Sequence, residues 1–190
     1  MSEAPAPASV SPAPIQLPPA LVAKKEHLLS NGFAETTPNV GSPNFLASLD
    51  AQTTFFYNDE EQRLIAFTYF GRDVQGPPNI VHGGAVFTIV DMSLAICVAR
   101  AVKCLAFTAN VSINYRAPAR LENWVVVDVK VDRVEKQKKI FVTFDAHAVD
   151  DADEEKDSEK SSDADNAKPP TKLVEGTSLF IANLAVPSSL

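Results

Sequence analysis

Residues 84–101 carry only four side chains that are not simple hydrophobes: Thr88, Asp91, Ser93 and Arg100. A helix that is apolar on every face lies in a protein core or in a membrane. A carboxylate taken out of water is expensive unless it is paired or used, so Asp91 is the residue that most needs an explanation. The membrane alternative fits poorly. The stretch is barely long enough to span, His82, Gly83 and Gly84 stand at its start, and no basic cluster flanks it. A mid-span Asp would also add roughly 2.5–3.5 kcal/mol to the insertion cost. The expectation is a core helix over about 83–102, wrapped by other elements and without stable membrane insertion.

The flanking segments indicate what wraps it. Short β-branched and aromatic runs at 53–57 and 63–70 are separated by Asn58-Asp59-Glu60-Glu61, a hairpin turn composition. After the helix come strand-like runs at 105–115, 123–134 and 138–149. The last alternates Ile140, Val142, Phe144 and Ala146 against Phe141, Thr143, Asp145 and His147. A further strand is expected over 173–183. Two strands, a long buried helix and several more strands on short links describe an α+β fold, an antiparallel sheet packed on a helix. An earlier helix is expected over 19–31, with prolines at its start and Gly32 to stop it.

The remaining composition adds loose segments to one core. Residues 1–18 are rich in Pro and Ala and read as disordered. Residues 150–172 hold nine acids and four lysines, which is five of the chain's seven net negative charges. That segment reads as a solvated, disordered insert in a single domain spanning 19–190. The near-neutral remainder lacks the basic footprint of a nucleic-acid binder. Cys97 and Cys104 read as buried thiols rather than a disulfide. The N-terminus has neither a secretory core nor a basic transit pattern. A cytoplasmic location is therefore expected, with mitochondria as the alternative.

The start of the long helix has chemistry of its own. Unpaired backbone N–H groups and the positive end of the helix dipole meet there. Gly83 and Gly84 let a carbonyl approach the main chain with no Cβ in the way, which is how an oxyanion site is built. Asp91 can then act as general base or as nucleophile on the carbonyl carbon. Residues 84, 88, 91 and 95 share one stripe, so Thr88 and Asp91 face the same way. Yet eight residues separate Gly83 from Asp91, roughly 12 Å along a helix at about 1.5 Å per residue. One chain cannot bring both groups to one carbonyl. If both act on one atom, Asp91 comes from a second subunit, and the site belongs to a two-fold dimer. A structural Asp91, bonded to a neighbouring backbone group, is the competing reading.

The run His82-Gly83-Gly84…Asp91, followed by Thr108-Ala109-Asn110-Val111-Ser112-Ile113-Asn114-Tyr115-Arg116-Ala117-Pro118 and by Glu175-Gly176-Thr177-Ser178-Leu179-Phe180-Ile181, resembles hotdog-fold acyl-CoA thioesterases of the PaaI type. The likeness extends over about residues 45–184, apart from the acidic insert. It implies a hotdog fold and hydrolysis of fatty or related acyl-CoA, hence a place in lipid metabolism. It also implies a homodimer or dimer of dimers, with no metal and no cofactor beyond the CoA of the substrate. The Gly83 N–H, with Gly84 beside it, would polarise the thioester carbonyl. Asp91 would be the catalytic carboxylate, and Thr108 would hold water or orient the attack. His82 would fix the turn or take part in catalysis. Asn114, Arg116, Lys138 and Lys139 match positions that contact the CoA portion. Arg and Lys suit its phosphates, although Lys138 and Lys139 can equally be ordinary turn flanks. The acyl tail would lie beside Phe87, Val90 and Leu94. One departure stands at Gly76, where many such enzymes carry Asn or Gln; Gln75 and Asn79 are nearby substitutes. Dehydration or hydration of acyl thioesters, with His82 as the base, and non-catalytic acyl-CoA binding are the competing functions.

Overall fold

The computed structural model describes residues 15–37, 49–149 and 170–187, with backbone alone over 184–187. Helix α1 spans Pro19–Ser30 and is followed by strands β1 (Ala34–Thr36), β2 (Ala51–Asn58) and β3 (Arg63–Phe70). Helix α2 (Gly83–Val102) leads into β4 (Cys104–Tyr115), β5 (Asn123–Glu135), β6 (Lys139–Ala148) and β7 (Lys172–Pro187). The strands form one antiparallel sheet in the order β1-β2-β3-β5-β6-β7-β4. The expected elements are all present. Their bounds differ from the sequence reading by a few residues at most, because apolar alternation marks the middle of a strand better than its ends. The expected disorder of 1–18 and 150–172 falls almost wholly outside the described residues.

The sheet curls around α2. Its concave face presents Phe55, Leu64, Ala66, Val127, Val129, Ile140, Val142 and Phe180 to Ile89, Val90, Leu94 and Val98 of the helix. Strand alternation makes this possible, because residues two apart share a face. The opposite faces of β2, β3 and β5 contribute Phe56, Ile65, Phe67, Trp124 and Val126 to a second cluster. Leu21 and Leu28 of α1 cover that cluster. Gly32, at φ +82°, takes the left-handed conformation that ends α1 and turns the chain back into β1.

The helix is not buried all round, contrary to the sequence reading. Ala85, Val86, Ile89, Val90 and Leu94 are buried, whereas Phe87, Thr88, Asp91, Met92 and Ala95 are only partly covered. The sheet wraps one side of α2 and leaves a stripe of the other open. Strand β4 runs beside that stripe at the sheet edge, and Phe107 and Tyr115 on it are exposed. An unpaired edge with large exposed aromatics is an unusual liability in a lone protomer.

Three local features hold the fold in place. His82 caps α2: its Nδ1 accepts from the Gly84 N–H at 3.0 Å, and its carbonyl accepts from Ala85 and Val86. Lys103 ends the helix in the left-handed conformation at φ 54°, with its N–H donating to the Ala99 carbonyl. Gly176 on β7 is pressed between strand and core: a Cβ there would overlap the Ser112 carbonyl oxygen and the Phe144 ring.

Two outcomes follow for stability. Gly176→Ala forces either the β4–β7 ladder or the Phe144 ring to shift, and is expected to lower stability by about 1–3 kcal/mol, the usual cost of overpacking. His82→Ala should cost about 1 kcal/mol, with most of it recovered in His82→Asn, since Asn also caps well. Urea unfolding of the three variants checks both. An unchanged midpoint for His82→Ala would show that the cap contributes nothing.

Candidate active site at the start of helix α2 and strand β4

The open stripe of α2 and the edge strand β4 run antiparallel, and they touch at two levels. At one, the Thr108 hydroxyl donates to Asp91 Oδ1 at 3.1 Å. At the other, the Tyr115 hydroxyl donates to the Gly83 carbonyl at 2.9 Å. Burial raises the Tyr115 phenol pKa, so it keeps its proton and remains a donor at neutral pH. Asp91 is partly exposed rather than buried, since it lies on the stripe that the sheet leaves open. Its cost in a lone protomer is correspondingly smaller than a buried carboxylate's.

The helix start is held from both sides of Gly83. The His82 carbonyl takes the Ala85 and Val86 N–H groups, the His82 ring takes the Gly84 N–H, and Tyr115 takes the Gly83 carbonyl. Among the described residues, no acceptor meets the Gly83 N–H. Gly84 is a glycine for packing reasons, because a Cβ would lie 2.9 Å from the His82 ring. Gly83 is not: the nearest neighbour of a Cβ there would be the Tyr115 ring, at an ordinary 3.6 Å, and its φ is not left-handed. Among the described residues, no close contact requires a bare backbone at Gly83. Thr88, on the same stripe as Asp91, returns its hydroxyl to the Gly84 carbonyl at 2.9 Å.

The other site residues divide into two groups. Lys138 and Lys139 leave the β5–β6 turn, where Lys136 and Gln137 both take positive φ. Lys139 pairs with Ile181, which pairs with Phe107, so this basic turn is level with Thr108 and Asp91. Asn114 and Arg116 lie at the far end of β4, beside Gly83. The two groups are roughly 20 Å apart along the sheet at about 3.4 Å per residue, so one protomer does not bring them together. Arg116 is engaged by Glu175, to which its Nε and Nη2 donate at 2.9 and 2.6 Å; Lys172 holds the other carboxylate oxygen at 2.8 Å. These bonds to Lys172 and Arg116 hold the Glu175 carboxyl below the usual carboxylate range. Gln75 is engaged too, with its side-chain oxygen accepting from the Asn79 N–H at 3.3 Å within the loop before α2.

Of the residues that sequence reasoning placed beside the acyl tail, Phe87 lies on the open stripe, whereas Val90 and Leu94 are fully buried under the sheet. An apolar cleft of about 400 Å³ opens beside Gly83 and Tyr115, lined by Ile80, Val81, Val86, Ala117, Pro118 and Leu173 among others. Tyr115 and Glu175 were both within recognised motifs but had no role. Their partners, Gly83 and Arg116, are 32 and 59 residues away, a pairing that no local pattern carries. Among the described residues, no three His, Cys, Asp or Glu side chains gather as metal ligands.

Comparison with known proteins agrees with this architecture. Residues 78–154 match the family model described as Thioesterase superfamily. The chain is 31% identical over 138 residues to acyl-coenzyme A thioesterase THEM4 of Rattus norvegicus, covering 70% of this chain and 59% of that protein. It is 33% identical over 108 residues to THEM4 of Mus musculus, covering 57% and 46%. It thus spans about half the length of the curated relatives it matches. Among solved structures, the E. coli PaaI protein from the phenylacetic acid degradation operon superposes with a TM-score of 0.56 at 9% identity, over 85% of this chain and 92% of that one. A hypothetical thioesterase from Streptococcus pneumoniae TIGR4, solved with coenzyme A, gives 0.52 at 13% identity, over 68% and 83%. At such identities the structural likeness establishes the fold. The chain folds as a hotdog, and its residues 78–154 are similar to the Thioesterase superfamily.

Proposed function

We propose that the protein hydrolyses acyl-CoA thioesters at a site shared between two copies of the chain. One observation carries the reading. The open stripe of α2 holds a carboxylate bonded to Thr108, and eight residues before it stands a backbone N–H with no acceptor among the described residues. In two copies related by a two-fold axis, with their open stripes and β4 edges together, the Gly83 end of one helix meets the Asp91 end of the other. The exposed Phe107 and Tyr115 of β4 support this, since the arrangement covers an edge that is otherwise unpaired. It also carries the basic turn of one copy toward the Asn114 end of the other, so cations separated within a protomer converge on one ligand.

The chemistry follows from these positions. The Gly83 N–H and the positive helix end stabilise negative charge as it develops on the thioester oxygen. Asp91 of the other copy removes a proton from an attacking water, or attacks the carbonyl carbon itself, and Thr108 fixes the orientation of its carboxylate. With water as the nucleophile, the thiolate of CoA departs and is protonated, leaving the free acid; with Asp91 as the nucleophile, the thiolate departs from a mixed anhydride on Asp91, which water then hydrolyses to the free acid and the carboxylate. Water is the only co-substrate, and the reaction needs no metal or organic cofactor. Lys138 and Lys139 suit the phosphates of the CoA handle, and Asn114 lies within reach of the same ligand. Arg116 can join them only by leaving Glu175. His82 acts as the helix cap rather than as a base, because the nitrogen facing the site's backbone is already an acceptor. The names of the THEM4 relatives and the CoA bound in the pneumococcal neighbour support this substrate class.

Release of free CoA, followed with a thiol reagent, is the direct assay. Asp91→Asn is expected to lower kcat at least about 100-fold with little change in KM, the pattern of a lost general base. A variant that keeps near wild-type kcat would make Asp91 structural and overturn the mechanism. Mixing provides a second check. Asp91→Asn chains and Gly83→Val chains are each expected to be inactive, while their heterodimer holds one site with both halves intact. Activity approaching half the wild-type value per heterodimer is the expected result, and mixed dimers without activity would mean that each site is built within one chain.

A further inference from the structure

We propose that the cleft beside Gly83 takes the acyl chain of the substrate, and that Ile80 and Ala117 in its wall set which chain lengths are accepted. This rests on the reading of the site as an acyl-CoA hydrolase. A thioester whose carbonyl oxygen sits at the Gly83 N–H extends in two directions, one apolar and one polar. A cleft of about 400 Å³ borders Gly83 within the protomer, and its walls include Ile80, Val81, Val86, Ala117, Pro118 and Leu173. The pantetheine arm of CoA carries two amides and a hydroxyl. Sealed against these walls they would lose their hydrogen bonds to water and gain none, which is costly. An alkyl chain has nothing to lose there and gains the burial of its methylenes, about 0.8 kcal/mol each.

The charges point the same way. Arg116 lines the cleft, but its guanidinium and the Lys172 ammonium are both engaged by the one Glu175 carboxylate. Lys138 and Lys139, which have no ion-pair partner among the described residues, lie at the Asp91 level of the sheet, so in the two-copy site they reach the Gly83 end from the neighbouring copy. The CoA handle therefore leaves across the interface toward that turn, and the acyl chain enters the cleft within the protomer. At about 30 Å³ for a water-sized group, the cleft holds about a dozen such groups at most. Chains up to about that length lie inside, and the methylenes of longer ones pass beyond the rim.

The test is a chain-length series from acetyl- to palmitoyl-CoA on the full chain, with free CoA as an inhibitor. For the wild type, kcat/KM is expected to climb with chain length and to level off near 10–12 carbons. Ala117 is only partly covered, at the edge of the core, and makes its hydrogen bond through its backbone, so Ala117→Phe reduces the space in the cleft. It should lower kcat/KM for dodecanoyl-CoA at least ten-fold more than for acetyl-CoA, and leave the inhibition constant of free CoA unchanged. Ile80→Ala should move the plateau to longer chains, and it serves as the second variant if Ala117→Phe does not fold. Equal losses on short and long chains, together with weaker inhibition by CoA, would mean that the handle occupies the cleft and would overturn the proposal. If the wild type hydrolyses no acyl-CoA, the hydrolase reading fails on its own. Binding affinities of the same acyl-CoA series to the wild type and Ala117→Phe then decide the cleft's occupant: selective loss of the long chains supports the proposal, and uniform loss overturns it.

Discussion

The packing of α2 against one side of a curled sheet is the constraint on which the rest depends. The buried face, from Ala85 through Val98, carries the apolar area that stabilises the domain. The opposite stripe keeps Thr88, Asp91 and Met92 partly open. A carboxylate can therefore remain on a helix that is otherwise suited to a core. The same one-sided wrapping puts β4 at the sheet edge beside the stripe, so Thr108 reaches Asp91 and Tyr115 reaches Gly83. Helix rise then separates the two chemical groups by a distance that no side-chain rotation can close, and the proposed two-copy site rests on that separation.

Glycines of the same motif have different physical causes here. Gly84 is bare because the capping ring of His82 lies against it, and Gly176 because β4 and Phe144 press on it. Both serve the fold. Gly83 has room for a methyl group and an ordinary backbone conformation, yet it carries none. That bareness fits the proposal that the substrate carbonyl approaches the Gly83 backbone.

Charge in this chain is a poor guide to its chemistry. Most of the net negative charge lies in 150–172, while the candidate site combines one carboxylate, a basic turn and an apolar cleft. Within the site region, ion pairing separates cations that are committed from those that are not. Arg116 is held by Glu175 in an exposed pair of small energetic worth, and Lys172 shares the same carboxylate. Among the described residues, Lys138 and Lys139 have no such partner in the ion pairs of the sheet.

Local physics made much of this protein legible in its sequence. Alternation in 140–147, the turn at 58–61 and the apolar run after His82 specify strands, hairpin and helix, because side-chain periodicity is a property of neighbours along the chain. The spacing of Gly83 and Asp91 requires a second copy if both act on one carbonyl, since helix rise does not depend on tertiary context. What the sequence left open were the contacts between residues far apart in it. That Val90 and Leu94 are sealed under the sheet while the space lies beside Gly83 depends on which face the sheet covers, and a helix apolar nearly all round carries no signal for that choice. That Tyr115 clamps Gly83 and Glu175 holds Arg116 depends on the register of β4 against β7 and α2. Register is set by the packing of the whole sheet, so only the tertiary structure decided it.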